Sequence, residues 1–194
     1  MIALIDYGGG NTASVANALK ELNADFQITN SKVIAEKASK IIFPGVGEAA
    51  SAMKKVNETN LVDFLISTEK PLLGICLGMQ LLGKFSEERN TNCLGIFPFD
   101  VLQFDSTKVK VPHMGWNKIE PNGSSPLFIG IEKGEFFYFA NSYYVPIGEY
   151  TAATVEHGIR FSASIVKRNF YGVQFHPEKS GNAGIKVIKN FLEI

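Results

Sequence analysis

The segment Gly74-Ile75-Cys76-Leu77-Gly78 constrains the fold more than any other part of this chain. An apolar run at residues 72–75 leads into the cysteine, and a helix-compatible run at 77–82 follows it. The pattern predicts a strand that turns sharply into a helix with a thiol at the bend, like the G-x-S-x-G nucleophile elbow with cysteine in place of serine. Small flanking residues let the backbone pass closely, and the start of the helix favours the thiolate form of Cys76.

A second segment, Gly172-Val173-Gln174-Phe175-His176-Pro177-Glu178, contains possible partners for that thiol. Residues 172–175 predict a strand, and in an extended chain His176 and Glu178 face the same side. Pro177 fixes the backbone between them and ends the strand ladder. An imidazole held beside a thiol by a carboxylate suits nucleophilic catalysis. The order Cys, His, Glu differs from that of the α/β-hydrolases, in which the acid precedes the histidine.

Each segment alone has a plain structural explanation. A single buried cysteine is commonly a small apolar residue, and an isolated His-x-Glu pair is commonly a surface pair. The two segments together, one at a strand-helix elbow and one at a strand end, favour catalysis by Cys76, His176 and Glu178.

Composition and charge exclude several classes of function. The 194 residues suffice for one large domain, and we expect a single domain over residues 1–194. Lys plus Arg and Asp plus Glu both number 19, so no net charge favours nucleic acid or an anionic membrane. The first residues lack the basic region of a signal peptide, and no apolar run has the length of a membrane span. A cysteine nucleophile must stay reduced, so we expect a cytoplasmic protein.

The first 92 residues alternate strands with helices. Apolar runs predict strands at residues 2–5, 26–28, 41–43 and 72–75, and periodicity predicts helices at 11–22 and 61–66. Continuous apolar strands separated by helices indicate an α/β fold, with a mainly parallel central sheet flanked by helices.

After about residue 92 the pattern changes to short aromatic or alternating segments separated by turn residues. These segments lie at residues 99–104, 135–140, 150–155 and 159–166, and a last helix is predicted at 183–192. We therefore expect antiparallel strands added to the sheet in the C-terminal half. No repeat, low-complexity tract or linker divides the chain.

Taken together, Gly-Ile-Cys-Leu-Gly-Met-Gln at 74–80 and Phe-His-Pro-Glu at 175–178 resemble the class I (triad) glutamine amidotransferases. The segments at 5–11, 43–47, 111–117 and 172–180 resemble, within that family, the glutaminase subunits of imidazole glycerol phosphate synthase. The resemblance runs from residue 2 to about residue 192. It implies the single-domain class I glutamine amidotransferase fold, with hydrolysis of glutamine to glutamate and ammonia by Cys76, His176 and Glu178. No metal or organic cofactor is expected, because the thiolate does the covalent work.

Attack on the glutamine amide creates an oxyanion, which needs N–H donors already aimed at it. The elbow offers the amide of Leu77. A second donor is expected from the glycine-rich end of the strand at 41–43, where ligands bind in an open α/β sheet. The resemblance places this donor near Val46 and Gly47. Without the elbow, an ordinary strand-ending turn would be the better explanation of that segment.

The resemblance also implies residues that bind the substrate. Glu88 lies where the family binds the α-amino group of glutamine, and Gln80 would line the same pocket. Ser142 and Tyr143 match positions whose backbone holds the substrate carboxylate. From its neighbours alone, Glu88 could equally belong to a solvated helix end.

The implied partner is a (β/α)8-barrel cyclase subunit in a heterodimer. That subunit uses ammonia to make imidazole glycerol phosphate and an aminoimidazole carboxamide ribotide in histidine biosynthesis. Trp116 is the only tryptophan of the chain. Without the resemblance, a core position and an interface position are equally good explanations of it, and the resemblance favours the interface. His113 is expected on the same surface. The residues expected at the interface are Asn11, Met114, Trp116, Tyr138 and Lys179.

Two alternatives stay open at this point. One is a paralogous amidotransferase subunit that feeds ammonia to a different synthase, and the other is a catalytically silent binding subunit. Asn141 stands where the family usually has histidine, close to the pocket and the interface, so partner identity or the tightness of coupling could differ.

Overall fold

The computed structural model describes residues 1–194 and contains six α-helices and fourteen strands. The helices are α1 Thr12–Glu21, α2 Lys32–Lys37, α3 Ala49–Glu58, α4 Val62–Ser67, α5 Leu77–Leu81 and α6 Gly181–Glu193. The strands are β1 Ile2–Ile5, β2 Phe26–Thr29, β3 Lys40–Gly45, β4 Leu72–Cys76, β5 Phe85–Ser86, β6 Thr91–Asn92, β7 Asp100–Gln103, β8 His113–Lys118, β9 Glu120–Pro121, β10 Phe136–Asn141, β11 Tyr143–Tyr144, β12 Thr151–His157, β13 Ile159–Lys167 and β14 Phe170–Val173. None of the helices is long and apolar enough to cross a bilayer.

An eight-stranded sheet with the order β2-β1-β3-β4-β14-β13-β12-β9 forms the centre of the molecule. Its first five strands are parallel, and β13, β12 and β9 continue it antiparallel. The predicted mainly parallel sheet with antiparallel additions is therefore confirmed. The segments predicted at 99–104 and 135–140 do form strands, but outside this sheet. They are β7, in a four-stranded sheet with β11, β5 and β6, and β10, which pairs with β8 alone.

Helices cover both faces of the central sheet, because alternate side chains of its buried strands enter two separate cores. One core contains Leu4 and Ile42 with residues of α1 and α6, and the other contains Ile41 and Phe43 with residues of α2, α3 and α4. Helices α2 and α3 are absent from the sequence prediction. In α3 the buried residues do recur at helical spacing, at Ala49, Ala52, Met53 and Val56.

Helix α5 follows β4 without a loop and passes very close to β3. A Cβ atom at Gly78 would collide with the carbonyl oxygen of Phe43. A Cβ atom at Gly74 would stand 2.8 Å from the carbonyl oxygen of Gly78, closer than real Cβ atoms approach. The two glycines therefore permit the tight elbow that the sequence predicts, and they set the position of Cys76 relative to β3.

We expect Gly78→Ala to lower the free energy of unfolding by roughly 3 kcal/mol, because the added methyl group meets backbone that cannot move aside. Urea denaturation of the purified chain measures this. Gly148→Ala is the matched control, since a Cβ atom there has no neighbour within 4 Å. Equal stability of the two variants would show that the elbow is not as tightly packed as described.

Candidate active site

Cys76 is the turning point of the elbow and has an unusual backbone conformation. Its φ is 54° and its ψ is −112°, in a region that residues other than glycine rarely occupy. The residue is buried, with 6% of its surface exposed. Its Sγ atom lies 3.7 Å from Nε2 of Gln174 and 4.0 Å from the carbonyl oxygen of Ala140. The sulfur is thus held inside the protein by a strained turn.

The His176 imidazole and the Glu178 carboxylate meet with Nδ1 2.9 Å from Oε1. The prediction that they share one face of an extended strand is wrong. Strand β14 ends at Val173, and Pro177–Lys179 forms a 3-10 turn. Proline at the first position suits such a turn, because its fixed φ is helical and it has no N–H to leave unpaired. The turn, not strand pleating, brings the carboxylate to the ring.

The Glu178 side chain is completely buried and has a second partner. Nδ2 of Asn11 donates to the same Oε1 atom at 3.2 Å. Asn11 precedes α1 but makes no side-chain capping bond to that helix. An asparagine expected at a partner interface therefore contacts the carboxylate behind His176.

The surroundings of His176 favour its charged form. Burial lowers the pKa of its imidazole, but hydrogen bonds to Cys76 and Glu178 and the charges of those groups outweigh burial and raise the pKa to about 10. The ring is therefore protonated at neutral pH beside the sulfur. Because folding raises the pKa of His176, the protonated ring adds to the free energy of unfolding. This contribution is fully present below a pH of about 6.5, the ordinary pKa of histidine, and is lost as the pH rises through about 10.

The elbow, the 3-10 turn and the end of β10 border a cavity of about 250 Å³. Its lining residues are Val46, Gly47, Cys76, Leu77, Gln80, Glu88, Ala140, Asn141, Ser142, Tyr143, His176 and Lys179. Every residue predicted for oxyanion or substrate binding is among them. Glu178 lies behind His176, outside the lining. The structure thus brings together residues spread over more than 130 positions of the chain.

The two expected oxyanion donors differ in this structure. Leu77 is the first residue of α5, so its N–H has no partner inside the helix. The N–H of Val46 instead donates to the carbonyl oxygen of Gly9 at 3.2 Å. Val46 is therefore on the cavity wall with its amide hydrogen bonded to the glycine-rich loop that follows β1.

Glu88 is half-buried, not a solvated helix end. Its Oε2 atom accepts a hydrogen bond of 2.7 Å from the N–H of Ala49, the first residue of α3. Burial raises the pKa of its carboxyl, although the Ala49 bond acts in the opposite direction. The neighbouring Arg89 pairs with Glu48 on the surface. No group of three or more His, Cys, Asp or Glu side chains is arranged to hold a metal ion.

Sequence reasoning missed two buried polar residues beside the thiol. Gln174 has no exposed surface and contacts Sγ of Cys76. Tyr7 is 5% exposed, its hydroxyl has no hydrogen-bond partner, and burial together with the nearby Cys76 and Asp6 raises its pKa strongly. The sequence does contain one signal for Gln174, because it is a polar residue between the apolar residues Val173 and Phe175.

Four of the five residues expected at an interface lie on one exposed surface next to the cavity. Met114 and Trp116 are 65% and 55% exposed, which excludes a core position for Trp116. Trp116 pairs across the strands with Tyr138, with ring centroids 6.1 Å apart. Nζ of Lys179 lies 5.9 Å from the centroid of the Tyr138 ring.

The expectation that His113 belongs to this surface is wrong. Side chains alternate along β8, so His113 points inward where Met114 points outward. The imidazole stacks between Phe139 and His157, at centroid distances of 4.8 and 4.3 Å. Burial and the neighbouring His157 lower its pKa to about 4, so the ring is neutral near pH 7.

A family model described as glutamine amidotransferase class-I matches residues 3–194. This chain belongs to the class I glutamine amidotransferases. It is 51% identical over 195 residues to the imidazole glycerol phosphate synthase subunit HisH of Bacteroides fragilis, a match that covers 100% of this chain and 99% of that protein. It is 45% identical over 199 residues to a HisH subunit of Vibrio vulnificus, covering 100% and 98%.

Solved structures agree on the fold. A crystal structure of a glutamine amidotransferase superposes with a TM-score of 0.77 at 19% identity, covering 100% of this chain and 98% of that one. A structure of PurLQS from Thermotoga maritima gives 0.72 at 22% identity, covering 99% and 97%. At such identities the likeness concerns the fold alone.

We expect Glu178→Gln to lower the pKa of His176, because the neutral amide no longer stabilises the imidazolium. NMR titration of the three imidazoles measures this, and His113 serves as an internal control that stays neutral down to about pH 4. An unchanged His176 titration in the variant would contradict the role given to the Glu178 hydrogen bond.

Proposed function

We propose that this chain is the glutaminase subunit of an imidazole glycerol phosphate synthase in histidine biosynthesis, folded as a single domain over residues 1–194. The observation that carries the proposal is the buried thiol, imidazole and carboxylate at the elbow of a class I amidotransferase. The full-length HisH relatives, at 45% and 51% identity, support the assignment to an imidazole glycerol phosphate synthase. An intact set of these three groups favours an active enzyme over a silent binding subunit.

In the first half of the reaction, the Cys76 thiolate attacks the side-chain amide carbon of glutamine. The new C–S bond forms as the carbonyl electrons move to the oxygen, which the Leu77 N–H stabilises. The protonated His176 ring then donates its proton to the leaving nitrogen as the C–N bond breaks. Glu178 keeps that ring oriented through its 2.9 Å bond to Nδ1. The products are ammonia and a glutamyl thioester on Cys76.

In the second half, water attacks the thioester and passes a proton to His176. Collapse of this second tetrahedral intermediate releases glutamate and restores the thiolate and imidazolium pair. Ser142 and Tyr143 hold the substrate carboxylate from one wall of the cavity, and Glu88 faces the α-amino group. Burial of Glu88 makes its contact with a cation strong, since little water screens the charge.

The ammonia passes to a (β/α)8-barrel cyclase subunit that docks as the second half of a heterodimer. Ammonia released into water becomes protonated and loses its nucleophilicity, so direct transfer serves the synthase. The surface of Met114, Trp116, Tyr138 and Lys179 suits this docking, because large exposed aromatic side chains anchor protein interfaces. A nucleophilic thiol needs a reducing compartment, so we place the enzyme in the cytoplasm.

The free subunit is slow in this proposal, because one oxyanion donor is occupied. The Val46 N–H must leave the Gly9 carbonyl oxygen before it can point into the cavity. The peptide that carries this N–H joins Gly45 to Val46, and the conformational freedom of Gly45 eases its rotation. Docking of a liganded partner would release this amide and raise the rate.

We expect Cys76→Ser to abolish glutamine-dependent synthesis by the complex and to leave ammonia-dependent synthesis intact, because only the nucleophile is removed. His176→Ala should lower glutamine-dependent turnover by about 10²–10⁴-fold, and Glu178→Gln by less, since the imidazole stays in place.

Cys93→Ser is the control for Cys76→Ser. Burial and the charge of Glu88 raise the pKa of the Cys93 thiol to about 12, so it is inert near neutrality. Peptide mapping after labelling with a glutamine-like electrophile locates the nucleophile. An adduct on Cys93, or full activity of Cys76→Ser, would refute the assignment.

We expect Lys179→Ala to weaken activation of the glutaminase by the partner and to spare ammonia-dependent synthesis. Lys179 follows Glu178, lines the cavity and contacts the Tyr138 ring, so a partner group bound to it can affect the site. Both activities of the complex are compared with those of Lys37→Ala, an exposed lysine on α2. An equal fall in both activities, or full glutaminase rate in the free chain, would contradict activation through this surface.

A further inference from the structure

Gln174 is a completely buried amide that the mechanism above does not use. It follows β14 two residues before His176 and lies against the elbow. Its Nε2 atom donates toward Sγ of Cys76 at 3.7 Å, and its Oε1 atom accepts from Nε2 of Gln80 at 2.8 Å. A buried amide group without partners costs free energy, and here the sulfur is the partner of the NH₂ group.

The orientation of the Gln174 amide follows from its neighbours. The carbonyl oxygen of Tyr143 can only accept, so the Gln80 atom that lies 3.1 Å from it must be the nitrogen. The same Gln80 nitrogen also faces the Gln174 side chain. Because this nitrogen is a donor, the Gln174 atom opposite it must be the acceptor, the amide oxygen. The Gln174 NH₂ group is then left to face the sulfur. The reverse orientation would place two donors together and an oxygen against the thiolate.

We propose that Gln174 is a thiolate-stabilising residue of the glutaminase, held in its donor orientation by Gln80 and the Tyr143 carbonyl group. This inference rests on the proposed function, because it assumes that the Cys76 thiolate is the nucleophile. A hydrogen bond to the charged form of a group favours that form, and a thiolate accepts more strongly than a thiol. Gln174 therefore favours the charged thiolate of Cys76 over the neutral thiol.

The chain of amides also links the sulfur to the substrate wall. Tyr143 lines the cavity, and Gln80 lies between it and Gln174. The donor is thus preorganised by a backbone carbonyl group. A donor held in place before the reaction costs no reorganisation when charge develops on the sulfur.

The test is the rate at which iodoacetamide alkylates Cys76 as a function of pH, in the full chain with Cys93→Ser. We expect Gln174→Met to slow alkylation about ten-fold in the acidic part of the pH range, where little of the reactive thiolate is present, because a hydrogen bond to a charged group has about this effect on an acid equilibrium. The rate should recover to that of the parent at high pH. Gln80→Met should shift the pH profile of alkylation in the same direction but by less. In that variant the Gln174 NH₂ group is still present, and only the hydrogen bond that orients it is lost.

Asn190→Leu is the matched control, because its buried amide donates to the carbonyl oxygens of Leu127 and Ile129, away from the site. It should leave the profile unchanged. A Gln174→Met profile that superposes on the parent, a rate lowered equally at every pH, or an equal shift in Asn190→Leu would overturn the proposal. Failure of the proposed function would appear separately, as no ammonia release from glutamine by the parent complex.

Discussion

The close passage of α5 over β3 determines where the Cys76 thiol lies, and the rest of the candidate site is arranged around that thiol. Because Gly78 lies against the backbone of Phe43, the elbow carries Cys76 beside the end of β3, where Gly45 and Cys76 are register partners. On the other side β14 runs parallel to β4 and delivers the segment that contains Gln174 and His176. The cavity therefore forms at the carboxyl ends of three adjacent parallel strands, where open α/β sheets bind their ligands.

In the mechanism proposed above, the cavity of this chain is only partly arranged for catalysis. His176 is held in its charged form by the sulfur on one side and by Glu178 on the other, so the groups that transfer protons already face one another. The Val46 amide, in contrast, is bonded to Gly9 outside the cavity. This division fits the proposal that hydrolysis waits for a partner, because the Val46 amide would have to turn from Gly9 into the cavity.

The elbow and the mainly parallel sheet illustrate what sequence reasoning can reach. The apolar runs, the glycine spacing around Cys76 and the change of pattern near residue 92 predicted the sheet and the elbow correctly. Helix α3 was missed although its buried residues have helical spacing, because two of the four are alanines, which mark an apolar face only weakly. His113 was wrongly expected on the exposed surface, because the sequence does not show which face of β8 its side chain occupies.

The sequence by itself determined the order of the elements and the chemistry available at two points of the chain, because periodicity, turn residues and glycine spacing act over a few neighbouring positions. The tertiary structure alone decided which further polar groups contact the predicted catalytic residues. Asn11 reaches Glu178 across 167 positions, and Gln174 reaches Cys76 across 98. Buried polar groups take whichever partner the packed elements bring within hydrogen-bonding distance, and that choice depends on the whole arrangement of strands and helices.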